Sequence, residues 1–273
     1  MNAASKLGIV AGGGDLPGYL IEACRSEGRP FFVLGLDGHA DAAKLAGAET
    51  AWIRLGEGGR GIELLHQAGV VDLVFAGRVR RPALAELRPD ARTAKVLAKA
   101  GLNFLGGDNA VIKTVVRELE GEGFRVIAPE TLVAALIAPE GVLGKERPDD
   151  GARADIARGL EVVRALGSLD VGQAAVVQQG IVLGVEAVEG TDALIERAGH
   201  VRREGPGGVL VKASKPGQER RVDLPAIGTA TVKRAAAAGL RGIAVECGSA
   251  LILGRDAVVR EADAAGLFVV GVK

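Results

Sequence analysis

Leu7-Gly8-Ile9-Val10-Ala11-Gly12-Gly13-Gly14-Asp15-Leu16-Pro17 runs from an apolar stretch through three glycines into the start of a helical segment. A short apolar run closed by glycine predicts a strand buried on both faces, as in a parallel sheet. Pro17 near the first turn and Gly28 after the last predict a helix from Leu16 to Glu27. Glycines let the backbone approach an anion, and the amides at a helix start point toward it. Strand, glycine turn and helix in this order are the context in which such a turn holds a phosphate. A tight turn without a ligand is the other reading. The motif is neither Gly-x-Gly-x-x-Gly nor a Walker sequence, because no Gly-Lys-Ser/Thr follows.

Outward from this stretch, strands and helices alternate. Phe31 to Gly35, Thr50 to Leu55, Val70 to Ala76 and Phe124 to Ile127 read as strands. Gly61 to Ala68, an Ala-rich stretch up to Ala100, and Asp108 to Leu119 read as helices, the last capped by Asp108. That rhythm predicts a parallel, doubly wound sheet. The polar, loop-rich stretch from Ala138 to Asp150 reads as a linker, followed by a helix over Ala152 to Leu166. Beyond it, Gln173 to Val177 and Gly180 to Ala187 suggest an antiparallel pair, and Gly207 to Lys212 a further strand. The α/β rhythm then returns with a helix from Thr229, a strand from Gly242 to Cys247, a segment Ser249 to Leu253 that continues or pairs with it, a helix from Asp256 to Ala265 and a last strand from Leu267. The expected fold is α/β: an N-terminal Rossmann-like parallel-sheet domain over residues 1–137 and a C-terminal mixed α/β domain over 138–273.

Composition narrows the function. Of 273 residues, 48% are hydrophobic, enough for a real core, but only 3% are aromatic, so Ala, Val, Leu and Ile must fill it. Lys plus Arg equal Asp plus Glu at 34 each, which removes a global basic field for nucleic acid. The scarcity of aromatic rings also speaks against base stacking. Cys24 and Cys247 lie outside any Cys-x-x-Cys pattern and read as buried reduced thiols. With neither a signal peptide nor an apolar run of membrane-spanning length, a cytoplasmic location is expected.

Three further groups of residues suggest chemistry. Ala76-Gly77-Arg78-Val79-Arg80-Arg81-Pro82 lies at the C-terminal end of a parallel strand, where open α/β sheets bind ligands. Arg78 suits a bidentate grip on phosphate, and a solvated basic loop is the competing reading. Gly106-Gly107-Asp108-Asn109 offers another helix start. In Val185-Glu186-Ala187-Val188-Glu189-Gly190-Thr191-Asp192, Glu186 and Val188 fall on one face of a strand, and Gly190-Thr191-Asp192 reads as a turn exposing a hydroxyl and a carboxylate. Lys212 and Lys215 add cations, and Asp223 precedes a proline-stiffened turn, where it could hold a metal or orient water. Carboxylates mixed with lysines suit hard-cation, phosphoryl-group chemistry. His39, His66 and His200 have no metal-ligand spacing, which speaks against a zinc site.

Taken together, these motifs resemble the LpxI-type UDP-2,3-diacylglucosamine pyrophosphatase family of lipid A biosynthesis. The resemblance rests on Gly8 to Pro17, Phe75 to Val79, Gly106-Gly107-Asp108, Glu186 to Asp192, Val211-Lys212 and Arg221 to Gly228, which occur in the family's order along almost the whole chain. It implies Mg2+-dependent hydrolysis of the pyrophosphate of UDP-2,3-diacylglucosamine, giving UMP and 2,3-diacylglucosamine 1-phosphate (lipid X). Asp223 takes the place of the family's essential acid, as catalytic residue and metal ligand. Gly13, Gly14, Asp15, Leu16, Ala76, Gly77, Arg78, Val79, Gln179, Gly180, Thr191, Asp192 and Lys212 are the implied substrate-binding residues, with the substrate in a cleft between the domains. The acylated substrate implies transient contact of a cytoplasmic protein with the inner membrane, and a homodimer is left open. Two other functions stand beside this one: an NAD-dependent oxidoreductase using the glycine turn, with Asp37 as ribose ligand, and a non-catalytic lipid or nucleotide carrier.

Overall fold

The structure is a computed structural model and describes residues 4–80, 84–100, 108–222 and 224–273. The chain divides into two compact units. The first comprises Met1–Ala134 and Glu219–Asp223, the second Ala135–Gln218 and Leu224–Lys273.

The first unit is built on five parallel strands, β1 (Leu7–Ala11), β2 (Phe31–Leu36), β3 (Thr50–Ile53), β4 (Asp72–Ala76) and β5 (Arg125–Val126), in the order β3-β2-β1-β4-β5. Its helices are α1 (Leu16–Glu27), α2 (Gly58–Gln67), α3 (Leu84–Leu87), α4 (Ala91–Ala100) and α5 (Asp108–Gly121). Every residue of β1 is buried, as its unbroken apolar sequence requires. Val10, Phe32, Leu34 and Leu73 form a core with Leu65 of α2 and Val116 of α5. Alternation along the strands sends their other residues toward α1, whose Leu20, Ile21 and Cys24 are buried. Burial pushes the Cys24 thiol pKa up. Cys247, expected in the interior as well, is only half-buried.

The second unit carries a six-stranded sheet. Its members are β6 (Gly141–Val142), β7 (Ala174–Gln178), β8 (Ile181–Val185), β9 (Val209–Lys212), β11 (Gly242–Glu246) and β13 (Phe268–Val272), ordered β6-β13-β11-β9-β7-β8. Strands β9, β11 and β13 are parallel, whereas β6, β7 and β8 join antiparallel to their neighbours. Val209 and Val211 of β9 face α6 (Asp150–Ser168), through Ile156, Leu160 and Val163. Leu210 faces the other way, toward α7 (Gly190–His200), α8 (Thr229–Ala237) and α9 (Arg255–Ala265). The period-2 alternation of an apolar strand therefore feeds two cores at once.

Four expectations change. Residues 190–200 form α7, an element absent from the sequence reading, so Gly190-Thr191-Asp192 is a helix start and the Thr191 hydroxyl is buried. Strand β8 stops at Val185; Glu186 turns into the interior while Val188 is fully exposed, so the two do not share a strand face. Leu251–Ile252 (β12) does not extend or pair with β11 but forms a two-stranded parallel ladder with β10 (Ala226–Ile227). The stretch read as a linker contributes β6 to the sheet edge and, at Asp149, a side chain that caps α6 through the Ala152 amide at 2.7 Å.

At the N-terminal edge of the first sheet, Asp72 is 1% exposed and accepts hydrogen bonds from Ser5 Oγ at 2.5 Å, Arg29 Nη2 at 2.5 Å and Arg125 Nε at 2.6 Å. Burial alone would raise its pKa. The bonds from Arg125 and Ser5 and the charges of both arginines outweigh that and hold the carboxyl below its usual range. A lowered native pKa stabilises the fold at pH values above the ordinary carboxylate range and loses that contribution as pH falls through the native value. Asp72→Ala leaves two guanidinium groups without their buried partner and is expected to cost about 3 kcal/mol in urea unfolding at pH 7, with the gap to wild type narrowing below pH 4.

Candidate functional site

In the first sheet, β1 connects onward to β2 on one side and has β4 on the other, so the strand order reverses between β1 and β4. Such a switch point leaves a crevice beyond the C-terminal strand ends. The two glycine motifs of the sequence meet there. The Gly12 amide donates to the Ala76 carbonyl at 2.8 Å, and Gly13 and Arg78 exchange both backbone hydrogen bonds at 2.8 Å. The approach is too close for side chains. A Cβ on Gly12 would stand 2.6 Å from the Arg78 carbonyl oxygen, and one on Gly77, whose φ is +94°, would stand 2.3 Å from that of Gly13. Gly14, Asp15, Gly77, Arg78 and Val79 are exposed on this edge, while Leu16 and Ala76 are buried beneath it. Asp15 is ion-paired with Lys44.

His39 belongs to the same edge, in the turn after β2. Its Nδ1 accepts the Arg80 amide at 3.3 Å, and its carbonyl oxygen lies 3.0 Å from where a Gly13 Cβ would be. Burial, and then the positive charge of Arg80, lower its pKa below the ordinary histidine value, which favours the neutral imidazole. Sequence reasoning tested this histidine only for metal spacing. Its place just beyond a parallel strand's C-terminus was the signal that could have drawn it out. Asp37, the ribose ligand of the dinucleotide reading, is exposed at the end of β2, with its amide on Ile53.

In the second unit, Thr191 and Lys212 come together with Glu186. All three are at least 94% buried, with 5%, 6% and 6% exposed. Lys212 ends β9, and its Nζ donates to Thr191 Oγ1 at 2.8 Å and to the Ala226 carbonyl at 3.3 Å. The Thr191 hydroxyl passes its own hydrogen to Glu186 Oε1 at 2.6 Å, and Glu186 Oε2 accepts the Gln173 amide at 3.1 Å. A buried ammonium and carboxylate thus share one hydroxyl, which bonds to both and offsets part of their desolvation. One strand over, at the same edge, Glu246 accepts from the Ser214 hydroxyl at 2.6 Å and the Ser214 amide at 3.1 Å. Asp192 is paired with Arg234 at 3.5 Å.

Gln179 and Gly180 lie at the opposite edge of that sheet. They are the two central residues of the β7–β8 hairpin, with φ of +52° and +76°, as the right-handed twist of a two-residue hairpin demands. Register places Val209, at the start of β9, beside Val177, and Lys212 beside Ala174, five residues before Gln179, so about 17 Å of strand separates the turn from the Lys212 end. Both turn amides donate to the buried carboxylate of Asp155, at 3.1 and 2.7 Å, and Arg241 donates to the same group at 3.2 Å. Asp155 escaped the sequence reading, since one acid within an amphipathic helix looks like a solvated residue.

Asp223, Gly106 and Gly107 lie outside the described residues. Among the described residues no three His, Cys, Asp or Glu side chains gather as a metal site would need. Glu186 is committed to a hydroxyl and an amide beside an ammonium, and Glu246 to Ser214, so neither is a spare cation ligand. No described helix is long and apolar enough to cross a membrane.

Comparison with known proteins places these two halves. Residues 6–136 match the model of the LpxI N-terminal domain and residues 139–270 that of the LpxI C-terminal domain. The chain belongs to the LpxI family. A curated LpxI relative, the UDP-2,3-diacylglucosamine pyrophosphatase LpxI of Caulobacter vibrioides, is 44% identical over 275 aligned positions, covering 98% of this chain and 97% of the relative. Among solved structures, a carboxyaminoimidazole ribonucleotide synthase from Asperigillus clavatus complexed with ATP aligns at 16% identity, covering 72% of this chain and 44% of that one, and its TM-score of 0.24 carries no argument.

Two substitutions test the site as built. Gly77→Ala forces a side chain into a left-handed backbone and against the Gly13 carbonyl, and is expected to lose about 2 kcal/mol of stability, measured by thermal unfolding. Thr191→Val keeps the shape of the side chain but strips Lys212 and Glu186 of their shared hydroxyl. It should lower stability by about 2 kcal/mol in the same measurement.

Proposed function

We propose that this protein hydrolyses the pyrophosphate bond of UDP-2,3-diacylglucosamine, releasing UMP and 2,3-diacylglucosamine 1-phosphate. The observation that carries this reading is the 44% identity over 98% of the chain to a curated pyrophosphatase, with both family domains matched.

The chemistry of the described residues supports it. Hydrolysis of a pyrophosphate asks for charge neutralisation and fixed donors around the phosphates while water attacks in line. In the first unit, the Gly13–Arg78 bridge holds the glycine turn open at the start of α1, where helix amides favour an anion. Arg78 stands exposed on that edge as a cation for phosphate. In the second unit, the charge of Lys212 is fixed at a strand end by Thr191, and its bond to the Ala226 carbonyl holds the turn that follows Asp223. Asp223 is the acid we assign to catalysis, orienting the attacking water. Mg2+ is the cation we assign to the reaction. Such an ion binds mostly through substrate phosphate oxygens and one or two carboxylates; here it would neutralise the pyrophosphate and meet the protein at Asp223. The acylated substrate makes peripheral contact of a cytoplasmic protein with the inner membrane part of the same reading.

Purified protein given UDP-2,3-diacylglucosamine and Mg2+ is expected to release UMP and lipid X in equal amounts. Chelation should stop release and added Mg2+ restore it. Asp223→Ala should lower the rate at least about 1,000-fold with the fold intact by circular dichroism. A wild-type protein that binds the lipid without releasing UMP would instead be a carrier.

A further inference from the structure

A short piece of the C-terminal half of the sequence folds with the first unit. The chain leaves the second unit after Gln218 and rejoins it at Leu224. Three contacts fasten the intervening piece to the first unit, and a fourth interaction locks its own shape. Val222 packs against the core that contains Val116 and Leu119 of α5. The Glu219 amide donates to Asn109 Oδ1, also in α5, at 3.1 Å. Arg221 Nη1 donates to Glu120 Oε1 of α5 at 2.6 Å. The remaining donors of that guanidinium, Nε and Nη2, grip the two oxygens of Glu219 at 2.8 and 2.9 Å, so a single planar group locks the segment's own shape and ties it to the helix. This bond from Arg221 holds the Glu219 carboxyl below its usual range.

The magnitude of the clamp says what it is for. The side chains of Arg221 and Glu120 are 37% and 40% exposed, and ion pairs so open to water contribute at most about 1 kcal/mol to stability. Fixed geometry is its larger effect. On the far side of residue 223 the backbone is fixed again, since the Pro225 carbonyl accepts the Leu251 amide at 2.8 Å and the Ala226 carbonyl accepts Lys212 Nζ at 3.3 Å. The chain is therefore anchored two residues before position 223 on one unit and two residues after it on the other.

We propose that Arg221 is a positioning residue for pyrophosphate hydrolysis: clamped between Glu120 and Glu219, it fixes the backbone that leads into Asp223. The inference rests on the pyrophosphatase reading and on Asp223 as its essential acid. Displacing a reacting group by about 1 Å can cost up to a hundredfold in rate, so the clamp acts on turnover far more than on folding.

The test is steady-state UMP release by wild type, Arg221→Ala, Arg221→Lys, Glu120→Gln, Glu120→Arg and the charge swap Glu120→Arg/Arg221→Glu, each paired with a melting curve. Arg158→Ala, which removes an arginine from the exposed Arg158–Glu161 pair, serves as control and should match wild type. Arg221→Ala is expected to lose about tenfold or more in kcat, with KM and melting temperature nearly unchanged. Arg221→Lys should recover part of the loss, and the swap should run faster than Glu120→Arg alone. If Arg221→Ala does not fold, Glu120→Gln reads the same effect with one anchor kept. An unchanged kcat in both variants, or losses of kcat that follow melting temperature and are not rescued by the swap, overturns the inference. A wild type that releases no UMP, or Asp223→Ala at normal rate, overturns the pyrophosphatase reading or its acid and takes this inference with it; an active wild type matched by Arg221→Ala overturns the inference alone.

Discussion

A strand covered by helices on both faces has no room for polar side chains along its length, so charge collects where the strand stops. Strands β1, β7 and β9 are buried at every position. In the first unit the glycine turn, Arg78 and His39 all follow C-terminal strand ends. In the second, Lys212 and Glu246 are the last residues of β9 and β11. Parallel β1 and β4, and parallel β9 and β11, put such endings side by side, and hydrogen bonds then hold them: Gly13 to Arg78, Lys212 to Thr191 at the start of α7, Ser214 to Glu246.

Most of this organisation was legible in the sequence because the signals are local. The apolar run of Leu7 to Ala11, Pro17 and Gly28 fix a strand and a helix without reference to anything distant, and the family motifs occur in order along the chain. The reading failed where local and tertiary preferences part. Gly190-Thr191-Asp192 has the composition of a turn, yet Leu194 and Ile195 bury against the sheet and draw the segment into a helix. The two-residue strands β10 and β12 are too short to show a period. Asp155 and Glu186 carry the composition of surface residues, and only the folded chain shows that one accepts from the amides of a hairpin turn and the other from a hydroxyl that a buried lysine also engages. The seat of Glu219 to Val222 was beyond reach, since Glu120 and Asn109 are 101 and 110 residues away from their partners.

The charged groups divide by exposure into two kinds. Asp72, Glu186 and Lys212 are nearly sealed from water, and removing one member leaves its partner without solvent to turn to. Arg221 with Glu120, and Asp15 with Lys44, stand partly in water and hold direction rather than free energy. Arg221 has the more constrained geometry of the two, because its flat fork engages two carboxylates at once.

The return of Glu219–Asp223 to the first unit separates the order of the gene from the order of the fold. The N-terminal half as a linear stretch does not contain everything that its own core uses, because Val222 arrives from more than eighty residues beyond Ala134. An exchange of halves between two members of the family at residue 134 would pair each α5 with a foreign 219–222 segment. A substitution at Asn109 or Glu120 in the N-terminal half therefore alters what holds residues 219 to 222 of the C-terminal half.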